Sequence, residues 1–351
     1  MESPTRRRPS PQGPGPCAFA TFLMLNDNYL PGALVLAFGL RLQRLGTPLI
    51  CLVTEGVSTQ ARASLGQLFD DVVEVEPIYV PHARRQERQD RPYFFTRIQA
   101  LRLGTGGGLG HHFERVVVLD ADLLPLRNYG RLLDLEPPAG VLNERKSHLV
   151  QTDDDGRRVV PPGAREEGRW NWHEIYASCP HGQPVPRSIS DRPREDPTNM
   201  GFNGSLFVME PKAEEFEEIL RDIERPEMRT LVGDRFDWPD MQYLTLRWSG
   251  RWRNIDVRFS ALNGYPDLGV IYGTHFAGFK PWYFHRGATM SRYVRHPDFQ
   301  LWFETYLRLL ETHPGLAGMG KLRRLGDQVR AAVGRDGRKP SGGGSRGGGR
   351  T

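Results

Sequence analysis

The chain has 351 residues, of which 38% are hydrophobic, and this length suffices for one large or two medium domains with a substantial core. Its 39 glycines and 28 prolines follow no period, which excludes a collagen-like fibre. The three cysteines, Cys17, Cys51 and Cys179, are scattered, so we expect neither a disulfide framework nor a zinc site made from paired thiols.

The positive charge is concentrated at the two ends of the chain. The net charge is +5. Residues 1–16 contain three Arg and one Glu, and residues 321–351 contain nine basic and two acidic residues. The intervening residues therefore carry more acidic than basic side chains, whereas a nucleic-acid-binding fold concentrates positive charge on its folded surface. We predict no specific nucleic-acid partner, although the Arg/Gly-rich end leaves weak RNA contact open.

No apolar stretch suggests a secretory signal or a membrane span. Residues 1–16 are rich in Arg, Pro and Gly, and no run reaches the roughly 18 apolar residues of a membrane helix. We predict a protein without a membrane segment in a reducing, cytoplasmic compartment.

Short apolar segments alternate with helical patterns along most of the chain. The predicted strands are 18–25, 48–54, 71–75, 115–119, 202–209, 252–255 and 270–276. The predicted helices are 29–45 with Asn28 as its cap, 58–68, 96–103, 211–223, 240–248 and 297–310. This alternation predicts an α/β fold with a mostly parallel, Rossmann-like sheet flanked by helices.

One long segment and both ends depart from this pattern. Residues 145–198 are rich in Pro, Arg, Asp and Gly, which indicates a long irregular insertion or lid. We therefore predict a disordered tail at 1–16, one domain at 17–315 that contains the insertion, and a basic tail at 316–351 whose end is disordered.

Two carboxylates follow the fourth predicted strand. Asp120 and Asp122 come directly after Val116–Leu119, and alternation along an extended chain would point both side chains the same way. Ligand sites in open α/β sheets lie at the carboxyl ends of strands, and oxygen ligands select Mg²⁺ or Mn²⁺. The pair could instead end the strand as turn residues. An aspartyl-phosphate phosphotransferase also uses such a pair, but the position after three strand–helix units and the following sequence Leu-Leu-Pro-Leu disfavour it.

A second group of polar residues lies in the segment 274–282. His275 offers a nitrogen ligand that Mn²⁺ accepts, and Lys280 is suited to a phosphate. Gly278 lets the backbone approach a ligand. Taken alone, a His at the end of an apolar strand is more often a structural histidine, and Lys280 could belong to a surface turn.

Six motifs in order resemble glycosyltransferase family 8, the group that includes glycogenin-like and galactinol-synthase-like proteins. They span about residues 18–285. The motifs are Leu-Asn-Asp-Asn-Tyr at 25–29 with Gly-Ala-Leu-Val-Leu at 32–36, Phe-Thr-Arg-Ile at 95–98, Val-Leu-Asp-Ala-Asp at 118–122, Phe-Asn-Gly-Ser-Leu-Phe-Val at 202–208, Asp-Trp-Pro-Asp at 237–240 and His-Phe-Ala-Gly-Phe-Lys-Pro-Trp at 275–282.

The resemblance implies a GT-A fold and a retaining transfer of a hexose or pentose from a UDP-sugar to a hydroxyl acceptor, with Mn²⁺ or Mg²⁺. The acceptor would be a glycan, a polyol or a protein, and a homodimer is possible. Carried over by position, the residues fall into three groups. The metal ligands are Asp120, Asp122 and His275; the donor-binding residues are Leu25, Asn26, Tyr29, Arg97, Ala121, Gly204, Gly278 and Lys280; and the catalytic residues are Asp240, Asn203 and Asp237.

The chain departs from the family pattern beside Asp240. The Gln that often follows this Asp in the family is Met241 here, and Gln242 stands one place later. The insertion at 145–198 also lacks a counterpart in the family pattern. A catalytically degenerate protein that binds nucleotide-sugars or serves as a scaffold is therefore the alternative.

Overall fold

The computed structural model describes residues 16–83, 89–142, 151–152, 158–159, 179–262 and 268–336. Most of the predicted insertion and the ends of both predicted tails lie outside these ranges. The chain forms two compact units, Met1–Lys280 and Pro281–Thr351. The division into a domain at 17–315 and a basic tail stays a prediction.

The first unit is built on a seven-stranded sheet in the order β10-β6-β9-β4-β1-β2-β3. Its strands are β1 (Cys17–Leu23), β2 (Leu49–Val53), β3 (Asp71–Glu74), β4 (Arg115–Leu119), β6 (Ala139–Leu142), β9 (Phe202–Met209) and β10 (Arg253–Asn254). β3, β2, β1 and β4 are parallel, β10 is parallel to β6, and β9 is antiparallel to both β4 and β6. The mostly parallel sheet expected from the alternating pattern is confirmed, with β9 as the reversed strand.

Two smaller sheets accompany it. β5 (Leu123–Pro125), β11 (Ala261–Leu262) and β12 (Gly273–His275) form a sheet in the order β11-β12-β5. β7 (Gln151–Thr152) pairs with β8 (Arg158–Val159). β12 runs antiparallel to β5, which begins four residues after β4 ends, so the small sheet extends from the carboxyl end of a central strand.

Helices cover the sheet of the first unit. They are α1 (Leu30–Leu42), α2 (Thr59–Leu65), α3 (Arg187–Ser190), α4 (Arg192–Glu195), α5 (Ala213–Ile223), α6 (Pro226–Thr230) and α7 (Pro239–Arg247). Shorter turns of 3-10 helix occur at Tyr129–Leu132 and Val257–Phe259, a π-helical turn at Leu231–Arg235, and a longer 3-10 segment at Arg91–Leu103. The strands β1, β2, β4, β6 and β9 are buried along almost their whole length, as in sheets covered on both faces, whereas the edge strand β3 is partly exposed.

Local sequence explains most helix starts, but the predicted cap of α1 is wrong. Tyr29 precedes α1 and makes no capping hydrogen bond through its side chain, while the backbone NH of Asn28 donates to Asn26 Oδ1 over 2.9 Å. Pro31 in the first turn begins the helix instead, because its fixed φ suits that position. Ser58 does cap α2, accepting a hydrogen bond from the backbone NH of Ala61.

The second unit is helical. It consists of α8 (Gly287–Tyr293), α9 (Pro297–Thr312), α10 (Pro314–Ala317) and α11 (Gly320–Asp336). Trp302 stacks on Tyr306 within α9 at a ring-centroid distance of 5.1 Å, and the Tyr306 hydroxyl donates to the carbonyl of Leu322 in α11. Part of the basic segment predicted as a tail is therefore ordered as a packed helix. Within the described residues, no helix is both long enough and apolar enough to cross a membrane.

Candidate functional site

A tight turn at the end of β4 carries both predicted metal-binding carboxylates. The backbone NH of Leu123 donates to the carbonyl of Asp120 over 3.1 Å, which closes the turn. The two aspartates therefore lie in a turn, and the extended alternation predicted for them is wrong. The backbone NH of Asp120 still pairs with β9, donating to the Ser205 carbonyl over 2.9 Å.

The small sheet brings His275 to this turn. Leu123 in β5 is directly opposite His275 in β12, and the backbone NH of Phe276 donates to the carbonyl of Asp122 over 3.0 Å. One ligand atom from each of Asp120, Asp122 and His275 lies within 4.8 Å of the others. Two carboxylates and one imidazole are a donor set that suits Mn²⁺. These three residues therefore fit a divalent cation.

Lys280 supplies a buried positive charge to the same turn. Its ammonium group contacts the Asp122 carboxylate and donates to the Phe276 carbonyl over 2.5 Å, and it lies 5.6 Å from the ring centroid of Tyr29. Burial alone would raise the pKa of Asp122, but the Lys280 ammonium and the neighbouring His275 outweigh it and hold that pKa far below its ordinary value. Asp122 is therefore ionised throughout the neutral range.

Arg97 connects the turn at residues 120–123, here called the acidic turn, to the start of α7. Its Nε lies 2.6 Å from Asp240 Oδ2, and its Nη2 lies 3.4 Å from Asp120 Oδ1. A third nitrogen, Nη1, donates to the carbonyl of Gly204. The planar fork of a guanidinium suits such a three-way bridge, which a lysine cannot reproduce. A Cβ on residue 204 would lie 2.3 Å from Arg97 Nη1, so a larger residue there would displace the guanidinium.

Asp240 is buried beside Arg97, whereas the Asp120 side chain on the other side of Arg97 is 32% exposed. Burial raises the pKa of Asp120 and of Asp240, and the Arg97 charge opposes both increases. Asp240 is only 1% exposed. Three carboxylates thus share two cationic side chains, Arg97 and Lys280. This excess of negative charge favours an additional cation in the site.

The predicted sugar-side residues lie on β9 and at the start of α7. Asn203 is 4% exposed; its Oδ1 accepts from the backbone NH of Ser205 over 3.1 Å, and across the described part of the chain its Nδ2 has no hydrogen-bond partner. Asp237 is half-buried just before α7. Met241 packs beside Gly204, since a Cβ built there would lie 3.0 Å from the Met241 Cγ. The side chain that follows Asp240 is therefore the thioether of Met241, where the family pattern often has a glutamine amide.

The predicted nucleotide residues follow β1. Leu25 has a φ of +66°, and its backbone NH donates to Thr54 Oγ1 over 2.8 Å. A Cβ on Gly56 would lie 2.3 Å from the Leu25 carbonyl oxygen, so the two loops touch backbone to backbone. Asn26 is exposed and Tyr29 is half-buried. The loops after β1 and β2 thus adjoin one another at the carboxyl edge of the sheet.

Contacts connect eight of the predicted residues, two of them in the acidic turn itself, whereas the others are placed only by the elements that carry them. The joined residues are Asp120, Asp122, His275, Lys280, Tyr29, Arg97, Gly204 and Asp240. Ala121 is buried between the two aspartates, and Gly278 is half-buried two residues before Lys280. The roles of all these residues in binding and catalysis stay predictions.

Several supporting residues were missed by the sequence interpretation. Ser205 Oγ and Ser260 Oγ are hydrogen-bonded over 2.6 Å, which ties β9 to the segment before β11. Gln242 and Thr245 turn their side chains toward backbone groups between 197 and 202. No local pattern marks these residues, because their partners lie 43 to 55 positions away in the chain.

A family comparison agrees with this arrangement. Residues 20–265 match the family model described as glycosyl transferase family 8, which is more than half of the chain. The chain belongs to glycosyl transferase family 8. It is therefore a glycosyltransferase, and the resemblance seen in the six motifs is confirmed.

Relatives of this glycosyltransferase differ in how much of it they match. It is 23% identical to galactinol synthase 1 from Arabidopsis thaliana over 82% of this chain and 78% of that protein. It is 37% identical to human glycogenin-2, but the match covers 33% of this chain and 22% of that protein. The galactinol synthase comparison thus extends over most of both chains, whereas the glycogenin comparison covers a shorter part.

A solved structure confirms the fold. An active-site mutant of LgtC matches this glycosyltransferase with a TM-score of 0.51 and 15% sequence identity, over 82% of this chain and 94% of that chain. At this identity the likeness concerns the fold alone. The GT-A fold implied by the resemblance is confirmed.

Proposed function

We propose that this glycosyltransferase moves a hexose or pentose from a UDP-sugar to a hydroxyl acceptor, with retention of anomeric configuration and with a divalent cation, Mn²⁺ or Mg²⁺. The observation that carries the proposal is that ligand atoms of Asp120, Asp122 and His275 lie within 4.8 Å of one another, beside the buried Lys280 and the partly buried Arg97. A nucleotide diphosphate needs this combination, because its phosphates bind both a metal ion and fixed positive groups.

The metal would be held by Asp120, Asp122 and His275. A cation at that position supplies Lewis-acid stabilisation of the charge that develops on the leaving phosphate. The carboxylate of Asp122 is kept ionised by its neighbours, so it is a competent oxygen ligand at neutral pH. Ala121, buried between the two aspartates, would contribute to the donor site through its backbone.

The donor would lie across the carboxyl edge of the sheet. Leu25 and Asn26 would hold the uracil, and Tyr29 would stack on it, since an aromatic ring offers a flat apolar face to a base. Lys280 would contact the diphosphate together with the backbone at Gly278. An ammonium group already fixed near the phosphates requires little reorganisation when negative charge develops there.

The sugar would lie toward β9 and α7. Asn203, whose Nδ2 has no partner across the described residues, is available to donate to a sugar hydroxyl. Asp240 would lie near the anomeric carbon and stabilise the oxocarbenium-like state, with Asp237 beside it and Gly204 lining the pocket. Arg97 would orient Asp240 and favour its ionised form, in opposition to the burial that raises the pKa of that carboxyl.

Thermal unfolding with UDP, in the presence and absence of Mn²⁺, tests the donor and metal together. We expect UDP to raise Tm only when Mn²⁺ is present, since ligand binding to the folded state stabilises it by mass action. Hydrolysis of UDP-glucose, UDP-galactose, UDP-xylose and UDP-glucuronic acid then tests turnover, and NMR of the released sugar reports its anomeric configuration.

The outcomes separate the candidate functions. Stabilisation by UDP without hydrolysis of any donor would favour the catalytically degenerate binding protein. No stabilisation by UDP with either Mn²⁺ or Mg²⁺ would refute the proposed donor. An inverted sugar product would refute retention and leave the donor and metal assignments standing.

A further inference from the structure

The helix that carries Asp240 is tied to the strand that carries Asn203 by two buried polar side chains. Both Gln242 and Thr245 lie on α7, and each is 0% exposed. The residues that they contact, 197–202, lead directly into β9. Neither side chain belongs to the six motifs or to the predicted site.

Gln242 uses all the polar atoms of its amide on backbone groups. Its Oε1 accepts from the backbone NH of Trp238 over 2.8 Å, and its Nε2 donates to the carbonyls of Pro197 and Asn199 over 2.6 and 2.9 Å. Gln242 therefore does not replace the glutamine that is absent at Met241 as a sugar-contacting group. It closes the start of α7 and fixes the chain that approaches β9.

Thr245 makes a second tie one turn further along α7. Its hydroxyl accepts from the backbone NH of Phe202 over 2.9 Å and donates to the carbonyl of Met241 over 2.7 Å. Gly201, with a φ of +62°, packs so closely that a Cβ there would lie 2.3 Å from Thr245 Oγ1. Only glycine permits this approach, so the tie depends on both residues.

These ties bear directly on the sugar side of the site. Asp240 stands two residues before Gln242, and Asn203 follows Phe202, the residue held by Thr245. Arg97 also connects α7 to β9, because it contacts both the Asp240 carboxylate and the Gly204 carbonyl. The relative placement of Asp240 and Asn203 therefore depends on hydrogen bonds that neither residue makes.

We propose that Gln242 and Thr245 are positioning residues that hold Asp240 and Asn203 in register for sugar transfer. The inference rests on the proposed function, because it assigns both residues to the sugar pocket. A misplacement of reacting groups by about 1 Å can cost roughly a hundredfold in rate, so loss of a tie should affect turnover more than nucleotide binding.

Matched substitutions at Thr245 test the proposal. Thr245→Val keeps the side-chain shape and removes the hydroxyl, whereas Thr245→Ser keeps the hydroxyl. We expect Thr245→Val to lower kcat for UDP-sugar hydrolysis roughly ten- to a hundredfold. The Kd for UDP with Mn²⁺ should stay within about twofold of the wild type, because the proposed uracil and diphosphate residues lie on other elements. Thr245→Ser should restore most of the kcat.

Two further variants separate positioning from general stability. Gln242→Met should reproduce the kcat loss. Tyr243→Phe, on the same helix, removes the partly buried hydrogen bond of 2.8 Å from the Tyr243 hydroxyl to Asp222 Oδ2, which lies away from residues 197–202. It should lower Tm without lowering kcat.

Each outcome has a distinct meaning. Wild-type kcat in both Thr245→Val and Gln242→Met would overturn the positioning roles and leave the proposed function intact. A fall in UDP affinity that parallels the fall in kcat, or an equal loss of kcat in Tyr243→Phe, would also overturn them. A wild-type enzyme that hydrolyses no donor would remove the proposed function, and the positioning roles with it.

Discussion

Replacement of Lys280 by methionine tests the electrostatics of the site. The ammonium of Lys280 contacts the Asp122 carboxylate, and the side chains are 7% and 8% exposed. Removing one partner of a buried ion pair costs about 3–5 kcal/mol, because the remaining charge is left unpaired in a region of low polarity. We expect Lys280→Met to lower the free energy of unfolding by about this amount at pH 7.

The same substitution should change how stability depends on pH. The folded pKa of Asp122 lies below its unfolded value, so its ion pair stabilises the wild type above roughly pH 4 and is lost only as the pH falls through the folded pKa. In the variant, burial is no longer opposed by Lys280, and the pKa of Asp122 should rise. The deficit should then shrink by up to about 1.4 kcal/mol per pH unit as the pH falls toward 4.

Urea unfolding followed by tryptophan fluorescence, between pH 7.5 and pH 4.5, measures the deficit. Lys212→Met is the matched control, since Lys212 pairs with Glu210 over 2.8 Å at an exposed position and should cost less than about 1 kcal/mol. Mn²⁺ should stabilise Lys280→Met more than the wild type, because it supplies the missing positive charge. A deficit below about 1 kcal/mol, or one that stays constant with pH, would refute this account of Asp122.

Three further substitutions probe the same site. Asp122→Asn should abolish the Mn²⁺-dependent rise of Tm with UDP and lower donor hydrolysis roughly a hundredfold or more; retention of full hydrolysis at saturating Mn²⁺ would contradict the metal assignment. Gly204→Ala places a Cβ 2.3 Å from Arg97 Nη1, so it should displace Arg97 and lower kcat while UDP still binds, as measured by calorimetry. Lysine has no planar fork, so Arg97→Lys cannot contact both Asp120 and Asp240. We expect its kcat to fall roughly tenfold or more, and unchanged kinetics would show that the bridge is dispensable.

The sequence by itself determined the elements that frame the site. The runs predicted as strands 115–119 and 202–209 are β4 and β9 with those bounds, because strands that are covered on both faces are mostly apolar. The same pattern placed Asp120 and Asp122 at the carboxyl edge of the sheet. The six ordered motifs were sufficient to indicate the family.

Only the tertiary structure decided which side chains meet. His275 reaches Asp122 because β12 pairs with β5, a contact between segments some 150 residues apart that leaves no local trace in the sequence. The predicted Asn28 cap failed for a related reason: the neighbouring Asp27 binds Ser58, 31 residues away, and the turn closes through Asn26 instead. Local patterns fix which segments are buried and extended, but the direction of a buried polar side chain depends on which backbone groups the fold leaves without a partner.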